Sequence, residues 1–460
     1  MLGKIGQRSF RTLMALAVTL PLTLAAPTMA AADDDRGIST FNIPGASVFP
    51  EGVAVDDNTG KFYVSSAATG ALFVGDENTA QLSVFSPAGS DGRNSATGMK
   101  VDRQGRLFVS GAGLGKIYLY DTHNAALISS FEVGQTPSFV NDVALTRRGD
   151  AYFTDSLSPS IYRVSDQNGK PTFERWLDLV GSTIVYTTGF NLNGIAVSKD
   201  DKSLIVIQSN TGKLFKIDIA GKQVSEINTN GAVLTGGDGI LLQERRLYVL
   251  RNSNQLLVTL ELSDDLTSAR VSAVNTSNKF QFPTTVARLD KRFLIVNSQF
   301  DKQSGQPILP FNVVAIPIPK RSNGTRQVAT LSGAAEVNGG DPDGAGTAKI
   351  QLKIKDSQVC FELMVSSIRL PATLSHIHRG NAGSNGPVVI DFQSAPDANG
   401  QSKGCVTADP ALLNAIWSNP AGYYVNVHNA DFPGGAVRGQ LALSSNMSRE
   451  QRESDEQDGA

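Results

Sequence analysis

A net excess of either charge is what this sequence most plainly lacks. Its 41 lysines and arginines stand against 43 aspartates and glutamates, a formal net charge of −2. No global basic field exists to attract nucleic acid or an acidic membrane surface, and those partners drop out first. Cysteine is nearly missing too: there are two, Cys360 and Cys405, with no Cys-x-x-Cys spacing to suggest a reactive pair. Sustained helical periodicity is lacking between residues 38 and 320, which argues against a helical solenoid there. The one conspicuous apolar run, residues 13–26, is too short for a good membrane span.

That run has the form of an export signal. Lys4, Arg8 and Arg11 precede it, small residues surround Ala30 and Ala32, and Asp33-Asp34-Asp35 follows at once. Residues 1–32 are therefore expected to be a cleaved signal peptide, leaving a secreted or periplasmic chain with no membrane span. With no cysteine beside the cut, a lipid anchor is not expected. Export places Cys360 and Cys405 in an oxidising compartment, where a disulfide is the natural expectation. It would close a loop of about 45 residues, worth about 4 kcal/mol in the chain-entropy picture.

The chain repeats itself at a period in the forties. The six segments begin Glu51-Gly-Val-Ala-Val, Thr97-Gly-Met-Lys-Val, Asn141-Asp-Val-Ala-Leu, Asn193-Gly-Ile-Ala-Val, Asp238-Gly-Ile-Leu-Leu and Thr284-Thr-Val-Ala-Arg. A polar turn and a second apolar strand follow each, as in Asp56-Asp-Asn-Thr-Gly60 and then Phe62-Tyr-Val-Ser. Short strands at this spacing predict an all-β fold, a six-bladed β-propeller over residues 38–320. The last repeat has three strands, and residues 39–43 are expected to supply its fourth and close the ring.

After a Pro- and Gly-bearing linker around residues 321–326 the period vanishes. Strands are expected at 327–331, 346–354, 359–365, 374–378, 388–392, 423–428 and 436–443. One helix should start at Pro410 with Asp409 as its N-cap. Seven strands in residues 327–443 predict a small β-sandwich. The charged residues 444–460 are expected to stay disordered.

In a propeller the innermost strand of each blade lines the channel, so equivalent positions meet around one axis. The first residues of the repeats, Glu51, Thr97, Asn141, Asn193, Asp238 and Thr284, all carry a side-chain oxygen. Converging hard oxygen donors with two carboxylates suit Ca²⁺, whereas zinc would want histidine or cysteine. Asn-Asp, Asn-Gly and Asp-Gly are also common turn pairs that need no metal, although Glu51 is not explained that way.

On these residues the repeats resemble the six-bladed propellers of the senescence-marker-protein, gluconolactonase and paraoxonase superfamily, across roughly residues 38–320. The resemblance implies a calcium ion held by Glu51, Asn141, Asn193 and Asp238, and hydrolysis of a lactone or ester. Asp238 is then the expected general base or water-orienting group, with Asp142 the alternative. One departure limits the carry-over: paraoxonase-like members place a catalytic histidine where this chain has Thr97. His123, the propeller's one histidine, falls on a turn and is expected to be solvent-exposed.

Three of four histidines lie in the smaller domain. His376 and His378 are two apart, hence on one face of a strand, and His428 follows in Tyr424-Val-Asn-Val-His428. With Ser375-His-Ile-His-Arg-Gly, Asn385-Gly-Pro-Val-Val and Phe432-Pro-Gly-Gly-Ala-Val-Arg-Gly-Gln-Leu441, these motifs resemble the chordin-type (CHRD) domain over about residues 327–443. The resemblance implies an Ig-like or superoxide-dismutase-like sandwich, with a cysteine pair where Cys360 and Cys405 stand. The three imidazoles could bind Cu or Zn. Equally, they could bond to backbone and pin loops against the sheet.

Three readings of function stay open at this point. The chain could be a calcium-dependent lactonase or esterase acting on a small molecule. It could be a non-catalytic protein that binds an extracellular or cell-surface partner around a structural calcium ion. It could handle metal or electrons through its histidine cluster.

Overall fold

The computed structural model describes residues 39–167, 169–320 and 325–444. The expected signal peptide, most of the linker and nearly all of the charged tail lie outside the described residues. No helix among the described residues is long and apolar enough to cross a membrane.

Six four-stranded antiparallel sheets follow one another along the first three hundred residues. Each begins with an innermost strand: Pro50–Val55, Met99–Val101, Val140–Leu145, Leu192–Val197, Gly237–Gln243 and Pro283–Leu289; it carries the repeat's opening residues in every blade but the second, where Thr97 and Gly98 lie just before the strand. The sixth blade is completed from the start of the chain. Ser39–Ile43 pairs with Phe311–Pro317 in the order expected from the sequence, which covers an otherwise open edge. Apolar side chains fill the gaps between neighbouring blades. Phe62 and Phe73 of the first blade, for example, join Phe41, Leu294, Val296 and Phe311 of the sixth in one cluster.

The C-terminal domain is also all β, and its strands form one hydrogen-bonded antiparallel sheet of nine strands rather than two separate sheets. The strand Gln401–Thr407 went unrecognised in the sequence because its alternation is weak: Gln-Ser-Lys-Gly-Cys-Val-Thr has almost no apolar face. It is an edge strand, and its partner holds it covalently. Cys405 lies directly opposite Cys360 on Gln358–Ser366, and the two form the disulfide. The expected last strand is broken into Val437–Gln440 and Ala442–Leu443, with Leu441 buried between them.

The helix Pro410–Ser418 starts where expected, with the Asp409 carboxylate accepting from the Ala411 N–H. Its destination was not legible in the sequence. It packs against the fifth blade, and one apolar core runs unbroken from Ile207, Leu234 and Val271 of the propeller to Leu413, Ile416 and Ala329. Polar contacts seal this seam. Ser418 Oγ accepts from the Val233 N–H at 2.8 Å and Asn414 Nδ2 donates to Asn230 O at 3.0 Å. Gly231, at φ +86°, sits where a Cβ would fall 2.3 Å from Ala411 O, so a larger residue would push the helix off.

Candidate functional sites

Five of the six innermost strands slip register at the ring residues, between Pro50 and Val53, Val140 and Val143, Leu192 and Ile195, Gly237 and Ile240, and Pro283 and Val286. Such a bulge puts two residues where the ladder has room for one and re-aims their side chains. This device was invisible in the repeat pattern, because a bulged pair and a regular pair read alike. Where the second residue of the pair is glycine, as in blades one, four and five, it explains how the strands come so close. A Cβ on Gly52 would stand 2.3 Å from Thr97 O, and one on Gly194 would stand 2.4 Å from Asp238 O.

Hydroxyls stitch the blades together around the ring. Thr97 Oγ1 donates to Asn141 O at 2.8 Å, and Thr284 Oγ1 to Glu51 O at 2.8 Å. Both threonine hydroxyls of the six-oxygen ring are thus turned to neighbouring backbone, and four side chains remain. Ser65 Oγ donates to Thr97 O and Thr154 Oγ1 to Asn193 O, from the second strands of blades one and three. Sequence reasoning passed over these two, although a hydroxyl ends the second-strand motif in several repeats.

The four remaining residues, Glu51, Asn141, Asn193 and Asp238, are all buried, at 7% exposure or less. Ser156 Oγ donates its one hydrogen to Leu192 O at 2.6 Å, so it must accept from Asn141 Nδ2 at 2.8 Å. This fixes the Asn141 amide and leaves its Oδ1 buried without a partner; Glu51 Oε2 is in the same condition. Asp238 Oδ2 accepts from Asn252 Nδ2 at 3.1 Å, and the Asn193 side chain bonds to the same carboxylate. Asp142 accepts from two backbone N–H groups, Val143 to Oδ1 at 2.8 Å and Ile195 to Oδ2 at 3.3 Å.

Three carboxyls in so little water oppose one another's ionisation. Burial, with the Asp238 and Asp142 charges added, holds Glu51 well above the ordinary carboxylate range, and Lys100 offsets part of this. Asp238 is pushed up to about 7, chiefly by burial, with the Asp142 charge adding and the Asn252 and Asn193 hydrogen bonds opposing. Burial also raises Asp142. The orphaned oxygens of Glu51 and Asn141, beside the buried carboxyls of Asp142 and Asp238, are an all-oxygen set that a hard cation would satisfy, so the residues present fit calcium.

The strand directions place specific loops at this end of the channel. The connections 156–159, 179–191 and 298–310 all leave strands at the ring end. They carry exposed apolar side chains: Leu157, Val180, Val185, Phe190, Ile308 and Leu309. At the opposite end lies a cavity of about 540 Å³, lined by Val53, Lys100, Ile195, Ile240, Val286 and neighbours. His123 is at the surface beside Asp121 and takes no part in either end.

In the C-terminal domain the structure brings His376, His378 and His428 together, with one ligand nitrogen of each within 4.8 Å of the others. Two of them do bond to backbone: His378 Nδ1 meets Gly386 O and His428 Nδ1 meets Pro433 O, each at 2.9 Å. Burial lowers the basicity of all three rings.

A six-bladed propeller with a polar ring at one mouth, fused to a disulfide-bearing all-β domain, is the class of molecule these features define. Residues 327–441 match the CHRD domain. The chain is similar to Lactonase drp35 of Staphylococcus saprophyticus, 30% identical over 132 residues; the match covers 26% of this chain and 37% of that protein. The chain thus spans little more than a third of the curated relative it matches. Solved structures with similar architecture include the Malassezia sympodialis allergen Mala s 1, at 16% identity and TM-score 0.47, covering 61% of this chain and 96% of that one. A gluconolactonase of Xanthomonas campestris has 17% identity and TM-score 0.43, with 60% and 87% covered. Virginiamycin B lyase from Staphylococcus aureus has 11% identity and TM-score 0.42, with 61% and 99% covered. Likeness at this level assigns no activity.

Proposed function

We propose that this protein is an exported, calcium-dependent hydrolase of lactones or esters, working at the ring end of the propeller channel. The observation that carries the reading is the pair of buried, unpartnered oxygens, Glu51 Oε2 and Asn141 Oδ1, set among the carboxyls of Asp142 and Asp238. Glu51, Asn141, Asn193 and Asp238 would hold the ion. A calcium ion held there would supply a fixed positive charge able to polarise a carbonyl and favour the oxyanion.

Asp238 is the residue suited to moving a proton. Asn252 Nδ2 holds its Oδ2 in a fixed orientation, and a carboxylate fixed beside the ion is placed to orient a water and accept its proton. Asp142 has both oxygens engaged by backbone N–H groups, which suits it to steady negative charge rather than proton transfer. The apolar loops at the ring end favour a substrate with an apolar acyl or aryl part, and they would keep bulk water from the site. The partial similarity to a curated lactonase supports the reaction class. The Cys360–Cys405 disulfide is consistent with an oxidising compartment outside the cytoplasm.

The test is hydrolysis of a lactone and aryl-ester panel by the purified chain, after chelation, after calcium is restored, and in Asp238→Asn. Turnover that follows calcium and disappears in the variant is the expected result. If calorimetry shows calcium bound yet no substrate turns over, the ion is structural and the propeller is a binding module. If no calcium binds at all, the proposed site is wrong.

A further inference from the structure

Antiparallel pairing gathers the three histidines of the C-terminal domain. On strands Leu374–Arg379 and Tyr423–His428, Leu374 faces His428, His376 faces Asn426 and His378 faces Tyr424. Alternation puts these six side chains on one face of the sheet, so all three imidazoles project the same way.

Their hydrogen bonding decides which nitrogens are free. A carbonyl can only accept, so His378 Nδ1 and His428 Nδ1 must each carry the hydrogen they share with Gly386 O and Pro433 O. In the neutral rings both Nε2 atoms are then bare lone pairs. Each is buried with no partner, and so is His376 Nδ1. A buried acceptor left unsatisfied costs about 1–3 kcal/mol, and lone pairs that converge repel one another besides. Backbone pinning accounts for the outer nitrogens and leaves the inner ones unexplained.

From this geometry we propose that His376 Nδ1, His378 Nε2 and His428 Nε2 bind one copper or zinc ion, with a coordination position left for water or a small ligand. An all-imidazole set selects these metals over calcium or magnesium, which want oxygen. The backbone carbonyls behind His378 and His428 are the kind of outer support that fixes tautomer and ring orientation at such sites.

The surroundings hold that support rigid. The Tyr424 ring stacks on His378 at 4.8 Å and 10°, and the buried Arg438 guanidinium lies over the Tyr424 ring, 3.4 Å from its centroid. Arg438 Nη2 also donates to Asn381 O at 3.0 Å and Ser384 O at 2.9 Å, which clamps the loop that presents Gly386 O. A Cβ at Gly386 would collide with Arg379 O, so this approach requires glycine. Asp391, opposite His376 on the adjoining strand, places negative charge near the cluster.

The experiment uses the full exported chain, stripped with chelator and then titrated separately with Cu²⁺ and Zn²⁺ in the presence of calcium. Metal content after desalting is compared with that of His376→Gln, His378→Gln, His428→Gln and, as control, His123→Gln. We expect one equivalent of ion in the wild type and the control, and at least about a hundredfold weaker binding in each of the other three, exceeding the loss usual for outer-support changes. Nitrogen hyperfine structure in the Cu²⁺ electron paramagnetic resonance spectrum reports the ligands without any variant, should one fail to fold. Binding below one equivalent, binding equally affected by His123→Gln, or a copper spectrum without nitrogen coupling would overturn the proposal. None of these results depends on whether the propeller hydrolyses anything.

Discussion

Arg251 and Asn252 are neighbours at the end of the strand Arg246–Arg251, and they serve different domains. The Arg251 guanidinium is buried and donates to Ser418 O at 2.6 Å, at the last turn of the C-terminal domain's helix, and to Thr235 O at 3.0 Å. Asn252 turns to the propeller mouth and donates to Asp238. Burial pushes Arg251 down to about 10, which still leaves it charged at neutral pH, and a cation there suits the negative end of a helix. The seam between domains is thus one peptide bond away from a residue that positions the candidate base.

Arg251→Met should therefore do two things. Ser418 O and Thr235 O lose their donor inside the seam, and stability measured by urea denaturation should drop by about 2–3 kcal/mol. The proposed ester or lactone turnover should fall as well, because the strand end that carries Asn252 loses its side-chain tie to Thr235 and to the helix. Arg251→Met with unchanged stability would mean that the apolar core alone holds the domains.

Gly98 tests the close approach of blades two and three. A Cβ there would stand 2.4 Å from Asp142 Oδ1 and 2.6 Å from Asp142 Cα. Gly98→Ala is expected to cost about 1–3 kcal/mol by overpacking and to weaken the proposed calcium binding by displacing that carboxylate from beside the site. Thermal melts with and without calcium measure both. A melt identical to wild type would show that the blades can part without loss.

Glu336 provides a pH dependence with a definite sign. It is partly buried, its Oε1 accepts from Asn426 Nδ2 at 2.6 Å, and burial pushes its carboxyl up to about 7, with Arg438 opposing. The folded state therefore keeps a proton that the unfolded chain has lost from about pH 4.5 upward. Glu336's contribution to stability falls as pH rises across that window and levels off above about 7. Glu336→Gln should remove that slope, so its Tm should gain on wild type as the pH is raised. Parallel Tm curves would rule out the assignment.

Reducing Cys360–Cys405 should loosen the weakly apolar edge strand Gln401–Thr407 first. The loop spans a sequence separation of 45, and its release should cost up to about 4 kcal/mol. Hydrogen exchange on the Cys360→Ser, Cys405→Ser double variant should show faster amides in that strand than in Gln358–Ser366. Uniform acceleration across the domain would mean that the bond supports the whole sheet.

What the sequence determined by itself is whatever repeats or alternates. Six copies of one strand pair announce six blades, the opening strand closes the ring, and Asp409-Pro410 starts the helix, since each depends on residues close together in the chain. The cysteine pair and the His-x-His strand were legible for the same reason. Tertiary structure alone decided the rest. Bulges re-aimed five of the six ring residues, and Thr97 and Thr284 dropped out of the oxygen set because neighbouring blades offered carbonyls to their hydroxyls. The nitrogens of His376, His378 and His428 converge because strand register, not sequence spacing, sets which residues face each other. The helix found the fifth blade because both present apolar faces, and no local pattern records where a distant partner for such a face lies.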